Sequence, residues 1–314
     1  RDNDRLFPLT IRSGFRILRR IANGVRVMLR RAVLGLMVWL GLVTAALAER
    51  RVALVLAVDD YQFIRPLTNP ANDARAMEDL LEKLDFEVVV ETNRDLRRMR
   101  RALEDFQTDA AGADVALLFF AGHGVALDGV NYLLPTDADA SSAQALAATA
   151  LPLAEAQAVL NKVAPVSIVL LDACRDDPFS ASAGTDGRTA APLEDDPPVV
   201  ASDGKPIPGL GRIGRADGVL FAFAAAPNET ASDGDDGNSP FTAALVRHFS
   251  TAGVEVKTAL TLVQQDVYDR SRGKQLPYIE SGVPEPIFVT GPGALPERDQ
   301  LLIAMADLTP EIRA

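Results

Sequence analysis

The chain holds two histidines and one cysteine in 314 residues. One histidine, His123, sits between glycines in "LLFFAGHGVALDG", and the cysteine, Cys174, follows 51 positions later in "VSIVLLDACRDD". A thiolate is an effective nucleophile, and an imidazole within hydrogen-bond reach can take its proton or hold it as an ion pair, lowering the thiol pKa from about 8.5. The alternative for a free cysteine is a small buried hydrophobe. Gly122 and Gly124 are expected to clear bulk from around the imidazole so that a substrate backbone can approach. The N–H groups of Gly124 and Cys174 are expected to form an oxyanion hole for a tetrahedral intermediate. Together these groups would perform acyl transfer.

Such side chains need strand ends to hold them. "VALVLAV" (52–58), "FEVVVE" (86–91), "VALLFF" (115–120), "VSIVLLDA" (166–173) and "GVLFAFAAA" (218–226) read as strands. Their unbroken apolar runs suit a parallel sheet covered on both faces. Between them fall helical stripes: Met77, Leu80, Leu81 and Leu84, capped by Asn72 or Asp73; then Leu96, Met99, Leu103 and Phe106, with Arg97, Arg98, Arg100 and Arg101 as a solvated face. Further helices are expected near 154–162, from Ser239-Pro240 onward, and over 258–271, with "PIFVTG" as the closing strand. The alternation predicts an α/β fold: a mostly parallel open sheet, helices on both faces, and chemistry beyond the C-terminal strand ends. His123 is expected just past the end of one strand and Cys174 just past another. No glycine-rich phosphate loop and no G-x-S-x-G elbow stands at a strand-to-helix turn, which argues against a nucleotide binder or another doubly wound hydrolase.

With both motifs in view, the chain resembles the caspase-like cysteine peptidases, and more closely their bacterial and metacaspase-type relatives. "RVALVLAVDDYQ", "LTNPANDARAMEDLLEKLDFEV", "FFAGHGV", "NYLLPTDA", "LLDACRDDPF" and "NSPFTAAL" look like stretches of that family in its order, over about 51–291. "LDACRDD" matches the signature Q-A-C-[RQG]-G at its A-C-R core, and the histidine stands at the family's distance upstream. The resemblance implies a caspase-hemoglobinase-like three-layer fold and a cysteine endopeptidase with a His123–Cys174 dyad, acting on peptide or protein substrates. It implies neither a catalytic metal nor an organic cofactor. Calcium activation is left open by the carboxylates of "ASDGDDGNS" (231–239), although an EF-hand register fails there. The arginine with which caspases bind an acidic P1 side chain falls at Leu67, so that cation is missing. Asp172, two residues before the nucleophile, matches the metacaspase position that binds Arg or Lys at P1, and a carboxylate suits a guanidinium. Asp59 and Asp60 are expected near the pocket, and His248 to be structural. A catalytically silent scaffold in the cell envelope is the alternative; such relatives usually lack the cysteine or the histidine, and both are present.

Composition bounds the rest. The net charge is −11, of which residues 1–48 contribute +7, leaving −18 for the remainder. So acidic a body repels phosphate backbones, and nucleic acid is excluded as a partner. Residues 1–48 read as an N-terminal extension and signal peptide: arginines, the apolar run Ala32–Leu47, and "ALA" at 46–48. Export to the periplasm or beyond is expected, with an inner-membrane signal anchor as the alternative to cleavage. The peptidase domain is expected over 49–291, interrupted by a flexible loop at 176–215 whose Arg188, Lys205, Arg212 and Arg215 would suit self-processing. Residues 292–314 read as a tail or linker.

Overall fold

The structure, a computed structural model, describes residues 49–174, 207–208, 210, 217–227, 229, 231–234, 237–251 and 253–290. Arg50 begins a unit distinct from residues 1–49. The described elements are strands β1 (Arg51–Ala57), β2 (Phe86–Thr92), β3 (Val115–Leu127), β4 (Val130–Leu133), β5 (Leu151–Pro152), β6 (Val166–Cys174), β7 (Ile207–Pro208), β8 (Val219–Phe223) and β9 (Tyr278–Ser281). The helices are α1 (Pro70–Lys83), α2 (Leu96–Asp109), α3 (Ala143–Thr149), α4 (Leu153–Val163), α5 (Pro240–Phe249) and α6 (Val256–Arg270). No helix among the described residues is long and apolar enough to cross a membrane; the run Ala32–Leu47 lies outside them.

The main sheet has the order β2-β1-β3-β6-β8-β9, parallel except for β9. The chain steps from β1 outward to β2, then returns across β1 to β3. Right-handed crossovers in opposite directions put their helices on opposite faces. Met77 and Leu81 of α1 accordingly join Phe241, Leu245 and Val263 of α5 and α6 in one core, and Met99, Leu103 and Phe106 of α2 join Leu160 of α4 in the other. Along β1, Leu54 and Leu56 enter the α2 side while Ala53 and Val55 enter the α1 side. Burial on both faces is why these strands lack polar alternation. The reversal of direction between β1 and β3 opens a crevice at their C-terminal ends.

Four local expectations are corrected. First, β3 does not end at Phe120. It continues through His123 to Leu127, where Asp128 and Gly129, at φ 50° and 77°, form a two-residue hairpin that pairs the end of β3 with β4 antiparallel. Second, α1 starts after Asn69, which holds the N-cap position without a side-chain cap, and is entered through Pro70, so Asn72 and Asp73 lie inside its first turn. Third, α3 was not anticipated; Ser142 caps it by accepting from the Ala145 N–H. Fourth, "PIFVTG" forms no strand, contributing one bridge from Phe288 to Glu255 and carbonyls at Phe288 and Val289 that the Arg51 guanidinium binds.

Candidate active site

His123 and Cys174 are register partners on the adjacent parallel strands β3 and β6. Their backbones are therefore about one strand spacing, roughly 4.8 Å, apart. The histidine is buried, and its surroundings come from the segment after β1. Its Nε2 lies 2.9 Å from the Arg65 carbonyl oxygen. A carbonyl only accepts, so Nε2 carries the hydrogen, and in the neutral ring Nδ1 is the basic nitrogen. Tyr61 tilts against the imidazole with ring centroids 4.8 Å apart, and its hydroxyl oxygen accepts from the His123 N–H at 2.8 Å. Ring and backbone of His123 are thus held by the same loop.

The flanking glycines make room for neighbouring side chains of the protein. A Cβ on Gly122, at φ 158°, would stand 2.8 Å from both the Tyr61 hydroxyl and the Phe120 ring. One on Gly124 would stand 3.0 Å from the Ala173 Cβ and 3.1 Å from Leu210. Gly122 lets Tyr61 reach His123, and Gly124 lets β3 close on β6. Leu134 N donates to the His123 carbonyl, which makes that pair hydrogen-bonded; the Gly124–Leu133 pair next to it is then non-bonded. The Gly124 N–H therefore points away from β4, towards the edge where β6 pairs with β3.

A second constellation lies beside the first. Asp172, the register partner of Ala121, is 2% exposed. Its Oδ2 accepts from the hydroxyls of Ser239 and Thr242 in the first turn of α5. Its Oδ1 is buried and, among the described residues, meets no hydrogen-bond donor. The alternative expectation, a strand-end residue capping local backbone, is corrected: its partners are side chains of α5, some seventy positions along. Asp73, 1% exposed, accepts from the Ser239 N–H at 3.0 Å and the Asn238 side chain at 2.9 Å. Ser239 thus touches both carboxylates. Burial, above all, holds each acid above the usual carboxylate range; Asp172 repels Asp73, and the donors of α5 partly offset the effect on Asp172.

The segment 231–239 buttresses this pocket. Asp233 accepts from the N–H groups of Thr68 and Asn69, and the Asn69 amide donates to the carbonyls of Asp233 and Gly234. Among the described residues no group of three or more His, Cys, Asp or Glu could hold a metal ion. Leu67, where a caspase arginine was sought, packs against the α2-side core. Asp59 and Asp60 pin their loop to the Asn93 side chain. His248 meets Asp266 together with Arg247 and Arg270, on the surface between α5 and α6.

The caspase domain family model matches residues 50–288. The chain belongs to the caspase family of cysteine peptidases. The solved structures of pro-sf-caspase-1 and of caspase-1 from Spodoptera frugiperda superpose on it with TM-scores of 0.55 and 0.53, each at 19% identity. They cover 77% of this chain and 91% and 92% of their own, and carry the caspase fold at that distance. Mucosa-associated lymphoid tissue lymphoma translocation protein 1 of Homo sapiens is 33% identical over 92 residues, 29% of this chain. The chain spans only 11% of that protein.

Five residues around this candidate site are not marked by the sequence motifs. Asp73 had a signal: it shares the helical stripe of Met77, Leu80, Leu81 and Leu84, and a carboxylate on an apolar face needs a buried partner. Ser239 and Thr242 read as an N-cap and its first turn, which they are; their hold on Asp172 depends on α5 packing beside β6. Tyr61 and the Arg65 carbonyl carry no pattern.

Proposed function

We propose that the chain is a cysteine endopeptidase in which His123 and Cys174 form the catalytic dyad and which cleaves after Arg or Lys. The register pairing of these two residues carries the reading. In this mechanism the Nδ1 of His123 takes the thiol proton, and the Cys174 thiolate adds to the scissile carbonyl carbon. The oxyanion is met by the N–H groups of Gly124 and Cys174. Collapse of the intermediate expels the amine, to which the imidazolium returns the proton, and water then hydrolyses the thioester. The Arg65 carbonyl holds the ring in the required tautomer, and Tyr61 holds its backbone.

The basic P1 side chain enters against Asp172, whose Oδ1 is buried and offers its lone pairs, with Asp73 as the second carboxylate. The missing cation at Leu67 supports the same choice. Self-processing in 176–215, which lies outside the described residues, and export directed by residues 1–48 belong to this reading.

Labelling tests it. An Arg-chloromethylketone peptide should modify Cys174, detected by intact-mass spectrometry, and an Asp-directed analogue should not; the His123→Ala chain should lose most of the labelling rate. Equal labelling by both reagents would refute the P1 assignment, and absence of labelling by either would refute the peptidase reading. A Cys174→Ala chain should stay intact in 176–215 on purification; splitting there would refute self-processing.

A further inference from the structure

Two buried carboxylates on one residue raise a charge question that P1 recognition alone does not answer. Asp73 comes from α1, Asp172 from β6, and Ser239 joins them: its N–H donates to one and its hydroxyl to the other. Among the described residues neither acid has an ion-pair partner, and Asp233, on the buttressing loop, adds a third negative charge that acts on both. Across β3, His123 stands two positions beyond the register partner of Asp172. Two anions held this close in a dry site without a cation cannot both stay ionised.

Resting on the basic-P1 reading, we infer that Asp73 and Asp172 share one proton while the pocket is empty and lose it when a P1 guanidinium or ammonium enters. Substrate recognition is then coupled to proton release. The proton belongs to the pair, but the pair is asymmetric. Asp172 receives two hydroxyl donors and faces the first turn of α5, where the helix dipole favours an anion. Asp73 receives an amide and a backbone N–H. Charge therefore rests mainly on Asp172, and the proton mainly on Asp73. The step balances: the pair passes from one negative charge to two as the proton leaves to solvent, and the entering cation restores the total. Ser239 and Thr242 are positioning residues; they set how readily Asp172 ionises and which of its oxygens faces the substrate.

Calorimetry on the full-length Cys174→Ala chain tests this, with a peptide ending in arginine as the probe, near neutral pH, in buffers of different ionisation enthalpy. Removing the thiol leaves the acid pair and His123 as proton sources. Binding should release up to about one proton per site, and Asp73→Asn in the same background should bring the release close to zero while the peptide still binds. Release that Asp73→Asn leaves unchanged, or no release in either chain, overturns the proposal and leaves the P1 reading standing. Failure of the arginine peptide to bind, with an aspartate-ended peptide binding instead, removes the P1 reading and the proposal with it.

A second arm uses the active chain. Thr242→Val removes one hydroxyl donor at nearly constant shape and should move the acid limb of kcat/KM for an arginine substrate upward by about one pH unit. Thr242→Ser should restore the limb, and Asp73→Asn should move it down. A uniform loss at every pH, or a limb that ignores all three substitutions, would overturn the coupling.

Discussion

A hydroxyl and a missing Cβ set the position of His123. Because the Tyr61 oxygen accepts from its N–H while the Arg65 carbonyl takes its Nε2 hydrogen, the ring is fixed before substrate arrives. Tyr61→Phe keeps the ring contact and removes the acceptor. It should lower kcat on a fluorogenic arginine peptide roughly tenfold, leave KM nearly unchanged, and cost about 1–3 kcal/mol by leaving a buried N–H unpaired. Gly122→Ala is more severe, since its Cβ meets Tyr61 and Phe120 at 2.8 Å. Overpacking of about 1–3 kcal/mol is expected, together with loss of activity, read from denaturant unfolding and turnover of the same sample. The histidine, its glycines and the cysteine could be picked out from their types and spacing; Tyr61 could not, because one tyrosine after a strand has no pattern to distinguish it.

The hairpin after His123 decides where the candidate nucleophile and base meet. Asp128 and Gly129 turn the chain so that β3 runs on past the sheet and pairs with β4, holding His123 inside a strand rather than on a loop. An Asp-Gly pair between apolar runs is a hairpin signal, so this extension is legible in "VALDGVNYLL", whereas the apolar run alone ends the strand at Phe120. Gly129→Val forces a β-branched residue to φ 77°. It should destabilise the fold by about 1–3 kcal/mol and reduce activity more than thermal stability alone explains, checked by assaying well below the melting transition. Substituting Asn for Asp128, which also tolerates positive φ, should leave both nearly unchanged.

Across the whole molecule the acid pair makes stability depend on pH. Asp73 and Asp172 have folded-state pKa values raised by burial, so what they contribute is fully present below the ordinary carboxylate range and is lost as pH rises through the raised values. Asp73→Asn, which cannot ionise, should therefore melt higher than the parent chain by a margin that grows from mildly acid to mildly alkaline pH, while cleavage after arginine falls. Scanning fluorimetry across pH checks the sign; a margin that shrinks with rising pH would contradict it. The sequence by itself determined the alternating strands and helices and the two-sided burial of the sheet, and singled out His123, Cys174 and Asp172 as candidates, because period and residue type are local properties of a chain. Only the tertiary structure decided that Asp73 stands beside Asp172 and that Ser239 and Thr242 hold it. Those contacts join α1, β6 and α5 across 166, 67 and 70 positions, and packing, not local pattern, brings such distant residues together.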